Sequence, residues 1–175
     1  LTMSSFPKKL LIEAKNKKNT MTEKEYNFYL KKIFNYFKEN LTCEKVAEKF
    51  LQQIHKNENK NISEVKILLL HGNECNNYMA DMLFVGLRRI LKENAVDEKK
   101  PKWLYKSFTG GSYGCGFTYT KRLDDIDIDR NNIEDKIKNK FFDYIIYRQS
   151  GGDEGELGDY LLTRHKFRGK NAFEF

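Results

Sequence analysis

The chain has 175 residues, 39% of them hydrophobic, with 13 Phe and 10 Tyr, which is enough for the core of one ordinary domain with a helical appendage and a tight fit for two. A charged fraction of 33% and a mean hydropathy of -0.73 describe a water-facing surface, and no apolar run approaches the roughly 20 residues of a membrane helix, so a membrane span is excluded. The formal charge of +7 favours anionic partners without choosing among nucleic acid, lipid and phosphorylated substrates, and the 3 widely spaced cysteines, Cys43, Cys75 and Cys115, fit free thiols better than a disulfide framework or a zinc module.

Residues 1–19 combine Ser4, Ser5, Pro7 and a polar run, and read as a loose lead-in. They contain no long apolar core with a cleavage site, so a cytoplasmic location is expected. Thr22 and Glu25 have the spacing of a capping box that opens a helix. Tyr26, Tyr29, Leu30, Ile33, Phe34 and Phe37 follow at three- and four-residue spacing, and such a stripe is read as core rather than as a stacking platform for bases. Thr42 is a second N-cap, before a narrower stripe of Val46, Ala47, Phe50, Leu51 and Ile54. Residues 1–60 are thus expected to form a helical hairpin with a flexible lead-in, joined through the polar run 56–63 to a Rossmann-like α/β domain over residues 61–175.

Residues 64–91 organise that domain. Val65 to Leu70 is an apolar run of strand length, His71-Gly72-Asn73 breaks it, and a helical pattern carries on through Leu91. Within the helix, Gly86 marks a close approach between backbones, and the pair Arg88-Arg89 near its end suits the helix dipole. Ala95-Val96-Asp97 supplies a short second strand, completing a βαβ unit. Next come the glycine-rich stretch 110–120, the alternation LDDIDID at residues 123–129, a short helix marked by Ile133 and Ile137, and a further strand over 141–147. Helix leading into buried strand for a second time is what a parallel sheet with flanking helices requires. The tail opens on an acidic, glycine-rich loop and has room for a short helix at residues 157–163.

The loop after the first strand lies where open α/β folds bind ligands, against the amino end of the next helix. It is neither GxGxxG nor a P-loop, so dinucleotide binding of the usual kind is disfavoured. His71 is the candidate acid or base, and Asn73 and Asn76 are candidates for sugar hydroxyls; turn geometry alone also accounts for all three. Tyr113, Gly114 and Gly116 belong to a stretch whose backbone N–H groups suit an anion or whose loop covers a cleft. Arg148 stands at the end of the strand over 141–147, a basic residue at the same kind of strand end. Asp125, Asp127 and Asp129 would share one face of an extended segment and suggest a hard cation, but acids ahead of a helix are equally caps, and no metal is assigned. No cofactor is expected, and nucleic-acid binding rests on net charge alone.

The blocks KILLLHGNECNNYMADMLFVGLRRIL, WLYK, YGCGFTYT and DDIDIDRNNIEDKIKNKFFDYIIY, in that order between Glu64 and Tyr147, resemble a set of poorly characterised glycosyltransferase-like proteins of microbes and viruses. The resemblance implies the Rossmann-like amino-terminal half of a two-domain glycosyltransferase, the half that holds the acceptor, with the donor bound mainly by a second domain. It implies a sugar or nucleotide sugar as ligand, and a protein partner or second domain. The alternative is a noncatalytic interaction or assembly module whose aromatic helices face a partner.

Overall fold

The computed structural model describes residues 12–13, 15–17, 20–56, 58–70, 78–110, 119–147 and 172–174. Helix α1 spans Glu23–Asn40 and opens with the capping box: the Thr22 hydroxyl accepts the Glu25 N–H, and Glu25 accepts the Thr22 N–H at 3.0 Å. Helix α2, Cys43–Ile54, follows after two residues, with the Thr42 hydroxyl accepting from the Lys45 N–H. Strand β1 is Ile67–Leu70, helix α3 Tyr78–Leu91 and strand β2 Ala95–Asp97. Helix α4, Ile133–Lys138, leads into strand β3, Tyr144–Tyr147, and strand β4 is Ala172–Glu174.

The sheet runs in the order β2-β1-β3-β4, and every neighbouring pair is parallel. Ile67 pairs with Ala95 on one side and with Tyr144 on the other. All four residues of β1 are buried, because the strand is covered on both faces. Ile67, Leu69, Ala95, Tyr144 and Ile146 pack in one layer with Phe84, Leu87 and Leu91 of α3 and Phe50 and Leu51 of α2. Leu68, Leu70, Val96 and Ile145 pack in the other with Ile128, Ile137 and Phe142. Fully burying one such side chain contributes about 1.5–3 kcal/mol, and β1 feeds side chains to both layers from the middle of the sheet.

Helix α2 lies so close on α3 that a Cβ on Gly86 would overlap the carbonyl oxygen of Cys43 and come within 2.8 Å of the Ala47 Cβ. The expected close approach at Gly86 is therefore between these two helices. Arg89 on α3 reaches across to Glu44 on α2 at 2.5 Å. Helix α1 behaves otherwise: Tyr29 is its buried residue, while Tyr26 is 56% exposed, Leu30 49% and Phe34 56%. The aromatic stripe expected in the core faces outward, because the buried face of α2, Ala47, Phe50 and Leu51, is spent on α3 and the sheet.

The polar run after α2 is anchored rather than loose. The buried ring of His55 contacts Tyr144 Oη through Nδ1 at 2.8 Å and the Lys60 carbonyl through Nε2 at 2.6 Å. A carbonyl can only accept, so Nε2 donates to Lys60, and the Tyr144 hydroxyl also lies 3.4 Å from the Ile54 carbonyl, to which it donates. Lys60 and the Lys66 N–H both meet the carboxylate of Asp143.

The extended residues 123–129 do not add a strand. Leu123 makes one parallel bridge to Tyr105, and Trp103 and Leu104 lie in a short 3₁₀ turn. Asn132, at φ 52°, is the N-cap of α4 and makes no side-chain cap bond, so none of Asp127, Asp129 or Asn131 is the cap. The helix ends with Phe141 N–H on Lys136 O and Lys140 N–H on Ile137 O, a Schellman closure with Lys140 rather than glycine at the left-handed position.

Candidate functional site

Asp97 is the last residue of β2 and has no exposed surface. Strand alternation puts it on the same face as Ala95, beneath α3, and there it gathers three side chains. Arg88 Nη2 donates to Asp97 Oδ1 at 2.6 Å, Arg130 Nη2 donates to the same oxygen at 2.8 Å, and Tyr105 Oη donates to Oδ2 at 2.9 Å. Arg130 also donates to Tyr105 Oη at 3.2 Å and to the Ile128 carbonyl at 3.2 Å. Ile128, whose carbonyl Arg130 engages, itself packs in the opposite layer of the sheet.

Aromatic rings face the cations of the cluster. The Arg88 guanidinium lies 5.0 Å from the centroid of the Phe84 ring and 6.0 Å from that of Tyr105, and Lys100 Nζ sits 4.4 Å from the Tyr105 ring. Burial, and then the Asp97 carboxylate, push the Tyr105 hydroxyl well above its ordinary pKa, so it stays a donor. One carboxylate thus holds two guanidiniums and leaves one positive charge over in the cluster. Arg88 Nε and Nη1 and Arg130 Nε are buried without an acceptor. Each such donor costs about 1–3 kcal/mol, and more when charged.

Two further acids border the carboxyl end of the sheet. The Glu98 N–H donates to the Leu69 carbonyl, and its half-buried carboxyl, whose pKa is pushed up by burial, has one buried oxygen without a donor. Asp81, buried in the first turn of α3, accepts from Trp103 Nε1 at 3.0 Å.

His71, Asn73, Asn76, Tyr113, Gly114, Gly116 and Arg148 lie outside the described residues, as do Cys75, Cys115 and residues 157–163. The aspartates of residues 125–129 part company. Asp125 accepts from Ser107 and Lys100, which hold its carboxyl down to about 2, with Lys100 the larger cause. Asp129 accepts from Lys136, the larger cause of its lowered pKa, and from the Asn131 N–H. Among the described residues no group of three or more His, Cys, Asp and Glu is arranged to hold a metal ion, and no helix is long and apolar enough to cross a membrane.

Arg88, Asp97, Tyr105 and Arg130 are the site residues that the sequence reading misses. One signal was present. Arg88 stands four residues after Phe84 and three before Leu91, in the buried stripe of α3, whereas its neighbour Arg89 points outward. A charge inside an apolar stripe needs a buried partner. No family model, curated protein or solved structure matches the chain.

Proposed function

We propose that the chain is a Rossmann-like domain of glycosyltransferase type, which binds a sugar or nucleotide sugar at the carboxyl ends of its parallel strands. The observation that carries this is the strand order β2-β1-β3-β4, in which β1 has its next strand on one side and its later strand on the other. Ligands of doubly wound sheets bind in the crevice at such a reversal, outside the strand ends. The chain leaves β1 directly into His71, Asn73 and Asn76, and leaves β3 directly into Arg148. His71 serves as a polar anchor or base, the asparagines bind sugar hydroxyls, and Arg148 stabilises a leaving phosphate. Tyr113, Gly114 and Gly116 supply backbone donors from a covering loop. No metal or cofactor is needed, because a helix dipole and basic groups stabilise the leaving group. In the architecture that the resemblance implies, a second domain completes the donor site.

Thermal-shift titration with nucleotide sugars tests this: saturable stabilisation of the chain is expected, reduced in His71→Ala. If no nucleotide sugar stabilises the chain, the proposal fails; if His71→Ala binds and reacts as the parent does, the site assignment fails. The second reading is an interaction or assembly module, favoured by the outward-facing Tyr26, Leu30 and Phe34 of α1. A mass in solution that rises with concentration, and no response to any nucleotide sugar, would favour it instead. Nucleic acid ranks third, carried by net charge alone.

A further inference from the structure

We propose that Arg88 and Arg130, joined on Asp97 at the carboxyl end of β2, form a binding site for a phosphate group. The inference rests on the reading of the strand carboxyl ends as the ligand side of the domain, and it adds the chemistry that one of those ends recognises. Both guanidiniums approach the same carboxylate oxygen, at 2.6 and 2.8 Å, and one positive charge remains over. The donors left over are Nε and Nη1 on Arg88 and Nε on Arg130.

Guanidinium N–H groups match the oxygens of phosphate and carboxylate, and the leftover donors, Nε and Nη1 on Arg88 and Nε on Arg130, outnumber the two oxygens of a carboxylate but not the oxygens of phosphate. Both side chains are held in place by their neighbours. Arg88, with 3% of its side chain exposed, is held over the Phe84 and Tyr105 rings, and Arg130 is held by the Ile128 carbonyl and Tyr105 Oη. Arg130 keeps 22% of its side chain exposed and provides the approach from solvent. The neighbouring cation Lys100 is committed to Asp125 at 2.8 Å, so it neither competes for Asp97 nor fills the role.

The test is a titration of the full chain, labelled at arginine with ¹⁵N, with inorganic phosphate at constant ionic strength. The solvent-shielded Nε–H signals of Arg88 and Arg130 should move together and saturate. Arg130→Lys, which keeps a cation for Asp97 and removes Nε, should weaken phosphate at least about tenfold. Acetate should act more weakly than phosphate. Shielded Nε signals that do not respond to phosphate, an acetate response as strong, or an affinity unchanged in Arg130→Lys would overturn the proposal. Where Arg130→Lys does not fold, the parent signals decide alone. Phosphate binding without any response to nucleotide sugars would leave this site standing and remove the glycosyltransferase-like reading; nucleotide-sugar binding with the Nε signals unmoved would do the reverse.

Discussion

Asp97 divides its oxygens unequally, two cations on Oδ1 and one neutral hydroxyl on Oδ2. Asp97→Asn keeps the size of the side chain and removes the only negative charge shown bonded to Arg88, which leaves a buried guanidinium facing a neutral amide. The expected loss is about 3–5 kcal/mol, the cost of breaking a buried pair by removing one partner. Tyr105→Phe removes one donor and leaves both ion pairs, so it should cost about 1–3 kcal/mol. Urea unfolding checks the order: the midpoint should fall further for Asp97→Asn, at unchanged slope. Equal midpoints for the two variants would mean that the ion pairs add nothing beyond their hydrogen bonds.

Among the elements, the junction of α2 with α3 is the least forgiving. Alanine at position 86 gains about 0.5–1 kcal/mol of helix propensity over glycine. The new Cβ, however, would overlap the backbone carbonyl of Cys43, and a main-chain oxygen cannot swing aside as a flexible side chain can. Steric cost should win, with Gly86→Ala losing about 2 kcal/mol and its midpoint dropping by roughly 5 °C. A variant as stable as the parent, read by calorimetry, would show that the helices separate at little cost. Among the described residues no such junction is shown for helix α1, whose start is specified locally by the capping box of Thr22 and Glu25.

Taken whole, the molecule joins α2 to the sheet through one core that holds Ala47, Phe50 and Leu51 together with β1 and α3. Unfolding should therefore be a single transition, with Trp103 fluorescence, which reports on the α3 layer, coincident with helical circular dichroism. A separate, earlier loss of most helical signal would show that residues 20–56 unfold independently.

Much of this plan was legible. The caps at Thr22 and Thr42, the helix after β1 and the strands expected at 65–70, 95–97 and 141–147, of which the structure forms 67–70, 95–97 and 144–147, follow from local pattern, because each depends on residues a few positions apart. A close approach at Gly86 was legible, but its partners Cys43 and Ala47, far off in the chain, were not. What α1 packs against was not legible, since an apolar stripe states that a face wants burial but not which neighbour provides it. Strand β4 went unseen because AFE is too short to show any period, and it is the pairing with β3 that makes it a strand. The guanidinium cluster joins residues 88, 97, 105 and 130, and no spacing rule connects these. The acidic alternation at 123–129 suggested one shared face, yet the lysines at 100 and 136 draw its ends to separate places.

Strand β2 has a further consequence, for solubility. It stands at an outer margin of the sheet, with β1 as its neighbour, and a strand in that place is a template on which a foreign strand can add. Two features discourage such growth: β2 has only 3 residues, and its last one is a charged group turned inward under α3. Replacing the ion cluster with well-packed apolar side chains could raise stability by about 1–4 kcal/mol. The same replacement would give the open margin an uninterrupted apolar strand, so a better-packed protein would also be a more aggregation-prone one.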